Sequence, residues 1–223
     1  MSEEMFQSLL ESGMAKAVIA LVILGILMTI FFITDKTREN SSTKALTVSA
    51  IAIALTFILN QITLFRMPQG GSVTPFAMLI IVLVGYFFGT RQGILAGVAF
   101  GLLDLLVNPY VISPIQLLVD YPLAFGALGL GGLMSKYDSV IPAFLLGVSG
   151  RFMCSFLSGA IFFGMYAPEG FNGFTWSLVY NGAYMGTEAV ITVLLLCIPA
   201  VKHAISRIKN TLNANGTVDL TKA

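Results

Sequence analysis

Charged residues are scarce in this chain, and their scarcity argues against an ordinary soluble fold. Only 10% of the 223 residues are Asp, Glu, Lys or Arg, whereas 57% are hydrophobic and the mean hydropathy is +0.89. A soluble domain uses about 25% charged residues to cover its surface. A surface that faces lipid removes this requirement. The formal net charge of +1 gives no basis for a nucleic-acid partner.

Cysteine, histidine and the motifs of catalysis are also scarce. Cys154 and Cys197 lie inside apolar runs, where small buried side chains are the simplest interpretation. His203 lies among basic residues at the end of the last apolar run, which is typical of a membrane interface. We find no phosphate-binding loop, no His-Glu-x-x-His and no Gly-x-Ser-x-Gly. We therefore predict no enzyme, no metal site and no cofactor, so ATP-driven transport would need another chain to hydrolyse ATP.

The chain instead contains a series of apolar runs, several of them long enough to cross a bilayer, which takes about 20 helical residues. The runs cover residues 13–34, 44–65, 75–89, 91–108, 115–134, 139–164 and 174–201. Only Gly89-Thr90-Arg91-Gln92 separates the third run from the fourth, which indicates a tight helical hairpin or one broken span. We favour the hairpin, because Gly89 is a natural helix terminator and Arg91 a natural interface anchor.

Basic residues fall mainly on one side of these runs. If the first loop is cytoplasmic, the cytoplasmic set is Lys36, Arg38, Lys44, Arg91, Lys136, Lys202, Arg207, Lys209 and Lys222. Only Arg66 falls clearly outside, with Lys16 near the outer edge. The positive-inside rule then predicts a multi-pass plasma-membrane protein with its N-terminus outside and its C-terminus in the cytoplasm.

The polar linker from Asp35 to Thr43 separates the first run from the other six. The acidic start of the chain lacks the basic region of a signal peptide, so the first run is interpreted as a retained helix. We predict an all-α membrane protein with a six-helix core and one extra N-terminal transmembrane helix. Its parts are an accessory helix at 1–36, a substrate-binding core at 37–209 and a flexible tail at 210–223.

Four charged residues lie within the runs, where a charge costs several kcal/mol and usually has a functional reason. Asp104 and Asp120 lie near the outer ends of their spans, and Asp104 is interpreted as reaching the outer interface. Arg151 and Glu188 lie near the middle of theirs. They either form an ion pair that joins two helices or contact a ligand.

Asp120 has polar neighbours that indicate a binding site. Gln116 and Asp120 are spaced i, i+4 and share one helical face, and Tyr121 and Pro122 follow directly. Pro122 is tolerated if a neighbouring helix or water satisfies the carbonyl that it frees. A carboxylate, an amide and a phenol at the outer end of a span favour a cationic or amine-bearing guest.

Three loops on the same side complete the predicted pocket. Loop 65–75 is rich in glycine and proline, loop 108–114 contains Tyr110, and loop 164–175 is rich in aromatic residues. Trp176 and Asn181 follow within the outer part of the last span. The combination predicts an aromatic-lined, outward-facing pocket with few polar groups, as a small-molecule site requires.

Several motifs occur together in one order. They are Met67-Pro68-Gln69-Gly70-Gly71-Ser72-Val73, Gly85-Tyr86-Phe87-Phe88-Gly89-Thr90-Arg91-Gln92-Gly93, Tyr110 before Gln116, Asp120-Tyr121-Pro122-Leu123-Ala124, and Trp176 with Tyr180-Asn181-Gly182. With them, the region from Lys44 to Lys202 resembles the thiamin-specific S-component of energy-coupling factor (ECF) transporters. The resemblance implies a six-helix core that binds a vitamin at its outer side. It also implies docking onto a transmembrane coupling subunit and two ATP-binding subunits.

The resemblance also implies roles for individual residues. The predicted substrate-binding set, which also draws on the pocket argument, is Tyr110, Gln116, Asp120, Tyr121, Ser155, Phe163, Trp176 and Asn181. The family's acidic ligand, a glutamate, falls on Asp120, a histidine ligand falls on Ser155, and a tryptophan falls on Phe163. The Ala-xxx-Ala docking face falls on Ala50 and Ala54.

The function predicted from the sequence is thiamin capture for an ATP-driven importer. Because Ser155 replaces a histidine, the same architecture serving another vitamin or a thiamin precursor is the first alternative. A membrane enzyme that uses Asp104, Asp120 or Glu188 as acid or base is the second, and the chain offers it no paired nucleophile and base. A stand-alone structural or sensory membrane protein is the third.

Overall fold

The computed structural model describes residues 13–33, 43–68 and 70–214. The helices are α1 (Gly13–Ile33), α2 (Thr43–Gln61), α3 (Ala77–Phe88), α4 (Thr90–Val107), the composite α5 (Pro114–Met134), α6 (Val140–Phe162), α7 (Gly173–Cys197) and α8 (Pro199–Ala214). Five of them, α2 and α4 to α7, are long and apolar enough to cross a membrane, and α3 is a shorter apolar helix. The predicted fold class, an all-α membrane protein, is confirmed.

The connection between α3 and α4 is the predicted hairpin. Gly89 alone separates the two helices, and its φ of 97° lies in the region that favours glycine. A Cβ on Gly93 would lie 2.6 Å from the Cα of Gly85 and 2.9 Å from the Cα of Gly129. The absence of a side chain at Gly93 therefore lets the backbones of α3, α4 and α5 approach directly.

The apolar core lies between α3, α4, α5 and α6. Phe100 packs edge-on against Phe125 with ring centroids 4.8 Å apart, and Tyr86 and Phe144 are fully buried beside them. Helix α2 differs, because half of its large apolar side chains are exposed and the others are only partly buried, and Ile51 is 63% exposed. Its outer face is therefore available to lipid or to a membrane partner.

Helix α5 is irregular, which the apolar run from 115 to 134 does not reveal. Its α-helical start, Pro114–Leu118, is capped by Ser113, whose Oγ accepts the backbone N–H groups of Ile115 and Gln116. A π-helical turn follows at Val119–Leu123, and the span ends as a 3-10 helix at Leu128–Met134. Pro122 lies inside the π-helical turn and has no N–H to donate, so the helical hydrogen bonding is interrupted there.

The predicted turn between α2 and α3 contains a small β hairpin. Strands β1 (Phe65–Arg66) and β2 (Ser72–Val73) pair antiparallel, with Phe65 opposite Val73. The backbone N–H of Met67 donates to the carbonyl of Gly71 at 2.6 Å, which closes the hairpin. Gln69 lies outside the described residues.

The last predicted run, 174–201, is divided between two helices. Helix α7 ends at Cys197, Ile198 is extended, and α8 begins at Pro199. Ile205 of α8 is buried against the core, and the Lys44 ammonium at the start of α2 donates to the Leu212 carbonyl at 2.9 Å. The helix continues to Ala214, so residues 210–214 of the predicted tail are helical, and residues 215–223 lie outside the described residues.

Candidate functional site

A cavity of about 300 Å³ lies at the end of the bundle where the β hairpin and the loops after α4 and α6 meet. All eight residues of the predicted substrate-binding set line it. They are Tyr110, Gln116, Asp120, Tyr121, Ser155, Phe163, Trp176 and Asn181. Two of the three predicted loops, 65–75 and 108–114, contribute to this cavity, with β-hairpin residues Gly70, Gly71 and Ser72 among its walls. The third loop, 164–175, supplies none of the lining residues, and only Phe163 before it and Trp176 after it line the cavity.

Gln116 orients Asp120. Its side-chain Nε2 donates to Oδ2 of Asp120 at 2.6 Å and to the carbonyl of Tyr110 at 3.1 Å, while its Oε1 accepts the N–H of Ile112 at 3.1 Å. The predicted i, i+4 contact between Gln116 and Asp120 is thus present. Because Gln116 is fully buried and joined to the loop before α5, it fixes both the carboxylate and that loop.

Tyr121 also holds the loop after α4. Its hydroxyl donates to the carbonyl of Asn108 at 2.8 Å and accepts the N–H of Tyr110 at 2.7 Å. The Tyr110 ring stacks on Phe163, with centroids 5.8 Å apart and planes 21° apart. Tyr121 therefore places one stacked aromatic pair in the cavity wall, in addition to any contact of its own with a ligand.

Helix α7 supplies a second aromatic wall. Trp176, Tyr180 and Tyr184 follow one another at intervals of four residues, and both neighbouring pairs have ring centroids 5.9 Å apart. Trp176 also packs edge-on against Phe171 at 5.6 Å. The substrate-binding set contains Trp176 but not Tyr180 or Tyr184, although their i, i+4 spacing places all three on one helical face.

Asn181 of α7 is held against α6 by hydrogen bonds. Its Nδ2 donates to the carbonyls of Ser177 at 3.0 Å and Ser155 at 3.3 Å, and its Oδ1 accepts the Tyr184 hydroxyl at 3.1 Å. Ser155 thus contributes its backbone to the wall of the site as well as a small side chain. A serine, where the resemblance has a histidine, leaves this part of the cavity wider.

Asp104 does not reach an outer interface, and that interpretation is wrong. Its side chain is only 8% exposed and lines the cavity. Its Oδ1 accepts Nδ2 of Asn60 at 2.8 Å and Nδ2 of Asn108 at 3.0 Å. Two amides therefore satisfy one oxygen of this buried carboxylate, and they join α2 to the end of α4.

The ion pair between Arg151 and Glu188 is not formed. The Glu188 carboxylate accepts the N–H groups of Thr74 at 3.1 Å and Met78 at 3.2 Å, and the Thr74 hydroxyl at 2.8 Å. The Arg151 guanidinium lies 4.0 Å from the ring centroid of Phe125 and lines the cavity. Its buried Nε has no hydrogen-bond partner among the described residues. Glu188 thus anchors the start of α3, whereas Arg151 belongs to the cavity.

The cavity offers carboxyl groups and aromatic faces to a cationic guest. Asp104, Asp120 and Arg151 are its inner charged residues, and the exposed Arg66 of the β hairpin lies at its rim. With Arg66 included, two acidic and two basic residues line the cavity, so their formal charges balance. The two carboxyl groups are the lining side chains that a cation would approach. Because aromatic faces also attract cations, the walls and the carboxylates favour the same kind of ligand.

Comparisons with known proteins agree on one family. A family model described as "Thiamine transporter protein (Thia_YuaJ)" matches residues 46–207. The thiamine transporter ThiT of Bacillus subtilis (strain 168) is 33% identical over 166 residues, which cover 67% of this chain and 86% of that protein. The ThiT of Lacticaseibacillus paracasei is 26% identical over 171 residues, covering 67% and 81%.

A solved structure shows the same fold. The structure of ThiT from Listeria monocytogenes superposes with a TM-score of 0.61 at 24% identity, and it covers 71% of this chain and 96% of that one. The region matched by the family model contains every residue of the predicted site. Helix α1 and the end of α8 lie outside it.

Proposed function

We propose that this chain captures thiamin in the cavity as the binding subunit of an importer, because it belongs to the thiamine transporter family whose family model matches residues 46–207. The family is one of transporters, so the prediction that the chain is not an enzyme is confirmed. One observation carries the proposal: Asp120, oriented by Gln116, lines the same cavity as the aromatic residues of α7.

The chemistry of thiamin suits these walls. Thiamin carries a thiazolium cation and an aminopyrimidine ring, so it offers a positive charge, an amine donor and two flat faces. The Asp120 carboxylate in the cavity wall and the aromatic rings attract the cation. The stacked pair Tyr110–Phe163 and the Trp176–Tyr180 pair offer flat contact surfaces. Aromatic contact supplies most of the affinity, and Asp120 with Asn181 supplies orientation.

The cavity opens to the outside of the cell in this proposal. Lys44 and Lys209 support that orientation, because they bond to carbonyls of Leu212 and Tyr137 at the opposite end of the bundle from the cavity. Basic residues concentrate on the cytoplasmic side of membrane proteins. The binding site thus faces the medium from which a vitamin is taken up.

Thiamin should quench the fluorescence of the purified protein. Trp176 is the one tryptophan in the chain, and its ring lines the cavity, so the signal reports directly on the site. We expect saturable quenching at micromolar thiamin or below. Absence of quenching at these concentrations, with no heat of binding by calorimetry, would refute the substrate assignment.

Competition separates thiamin from related substrates. Because Ser155 stands where the resemblance has a histidine, a thiamin precursor such as hydroxymethylpyrimidine is the rival ligand to compare. Riboflavin serves as an unrelated vitamin with a large aromatic ring. If either compound binds more tightly than thiamin, that compound replaces thiamin as the assigned substrate of this cavity.

Energy coupling requires partner chains, and α2 is the proposed contact. We assign docking onto an ECF transmembrane coupling subunit, which acts with two ATP-binding subunits, to the face that contains Ala50 and Ala54. Both alanines are exposed, and Ile51 and Ile58 beside them are 63% and 59% exposed. Small residues on an apolar helix face allow a second helix to approach closely in a membrane.

Replacing Ala54 by tryptophan should uncouple uptake from binding. The bulky ring would hold a partner helix away from α2, while the cavity remains intact. We expect thiamin affinity within about twofold of the unmodified protein and uptake reduced at least about tenfold in cells that contain the coupling subunits. Val190→Trp, at a 60% exposed site on α7, is the matched control. Equal uptake by both variants would exclude Ala54 from the docking face.

A further inference from the structure

Helix α1 packs behind the part of α5 that carries the binding site. It lies outside residues 46–207, which the family model matches, and it contacts α4 and both Pro114–Leu118 and Val119–Leu123 of α5. Leu27 is only 7% exposed, whereas Leu21 and Ile26 of the same helix are 65% and 55% exposed. Leu27 is therefore a principal point of contact for the described part of α1.

Leu27 contacts the back of the cavity wall. Its apolar cluster consists of Val119, Leu123, Ala124 and Ala127 of α5 and Cys154 of α6, joined by the partly buried Leu130. Gln116, Asp120 and Tyr121 from the same stretch of α5 line the cavity. The residue after Cys154 is Ser155, which also lines it. One side chain of α1 thus belongs to a cluster that includes residues of both helices that form this wall.

The π-helical turn of α5, which lies behind the cavity wall, requires protein to shield it from lipid. Pro122 interrupts the hydrogen bonding of the π-helical turn, and a broken turn exposed to hydrocarbon would leave a polar carbonyl without water or a partner. Such backbone is tolerated at membrane depth where protein covers it. Helix α1 lies against this turn and shields it from lipid on that side.

We propose that α1 is a positioning element for the binding site. Leu27 packs on Val119 and Leu123 and holds the π-helical turn in the register that presents Asp120 to the ligand. Leu27 acts through Asp120 and does not itself touch the ligand. The proposal rests on the proposed function, because one of its readouts is thiamin affinity. A second readout requires no ligand.

Leu27→Ala in the full-length chain is expected to weaken thiamin binding about tenfold, because the emptied space lets the turn shift. Leu21→Ala, a matched truncation at an exposed site on the same helix, should leave the affinity within twofold. Leu27→Met fills the same space and should bind thiamin with the affinity of the unmodified protein. If Leu27→Ala folds poorly, Leu27→Val provides a smaller truncation with the same direction of effect. If neither Leu27→Ala nor Leu27→Val weakens thiamin binding, the proposal is overturned.

A double-mutant cycle tests whether Leu27 acts through Asp120. In an Asp120→Asn background the carboxylate is already lost, so Leu27→Ala should cost at most about a further twofold. A loss of about tenfold in both backgrounds would show that Leu27 affects binding by another route, and would overturn the assignment as a positioning residue.

Cys154 reports on the same packing without a ligand. It is buried in the Leu27 cluster, whereas Cys197 is exposed and is replaced by serine for this experiment. Leu27→Ala should raise the rate at which a membrane-permeant maleimide modifies Cys154 several-fold, and Leu21→Ala should not. An unchanged rate would refute the packing role. Failure of thiamin to bind the unmodified protein would instead refute the proposed function and leave this test in force.

Discussion

Asp120→Asn is expected to weaken thiamin binding by roughly 10- to 100-fold, the scale of a hydrogen bond to a charged group in a buried site. The substitution removes the negative charge but keeps the size of the side chain. Its oxygen can still accept from Gln116, which donates to Asp120 at 2.6 Å, so the wall should keep its shape. Titration of Trp176 fluorescence measures the affinity, and circular dichroism checks the fold.

Two further substitutions sharpen this test. Asp138→Asn makes the same change at an exposed position in the loop before α6, and should leave the affinity unchanged. Asp120→Glu should keep binding within a few-fold, because a carboxylate remains and the resemblance has glutamate at this position. If Asp120→Asn binds thiamin as tightly as Asp138→Asn does, Asp120 is not part of the binding site.

Glu188→Ala is expected to destabilise the protein by about 3 kcal/mol, because buried hydrogen-bond donors lose their acceptor. The carboxylate accepts the backbone N–H groups of Thr74 and Met78 and the hydroxyl of Thr74. These contacts anchor the end of the β hairpin and the first turn of α3 to α7. For a chain of this size the apparent melting temperature should fall by roughly 6–12 °C in detergent.

Glu169→Ala is the matched control, because Glu169 is an exposed carboxylate in the loop before α7. We expect its melting temperature within about 1 °C of the unmodified protein, in line with surface substitutions elsewhere. An equally small shift for Glu188→Ala would mean that the three donors find other acceptors. The anchoring role assigned to Glu188 would then be wrong.

The helices could be predicted from the sequence because the bilayer fixes their length and composition. The predicted run 139–164 corresponds to Val140–Phe162, and the run 91–108 to Thr90–Val107. Gly89 between two apolar runs was enough to indicate the hairpin. A glycine in a short gap between two apolar runs indicates a helix break, because glycine adopts the positive φ that ends one helix and allows the next to begin.

The interior of α5 could not be predicted in the same way. An apolar run that contains Pro122 is compatible with a kink, a break or a wide turn, and packing against neighbours decides among them. The amphipathic helix α8 was missed for a related reason. Its apolar face begins within the last apolar run, which continues across the bend at Ile198. Pro199 was the available signal, because a proline disfavours helical backbone at the residue before it.

Much of the candidate site followed from local spacing, and the rest depended on which helices are neighbours. The Gln116–Asp120 contact is a property of one helix, so its spacing predicted it. The partners of Arg151 and Glu188 lie on other helices, and charge complementarity alone suggested the wrong pair. The structure assigns Glu188 to backbone donors near Thr74 and Arg151 to the cavity.

A structure of the purified chain with thiamin bound is the most direct test of the central claim, which is that this cavity is the thiamin site. We expect thiamin inside the cavity, with its atoms within ~4 Å of both the Asp120 carboxylate and the Trp176 ring. Thiamin bound elsewhere on the protein, or a cavity that stays empty at saturating thiamin, would contradict it.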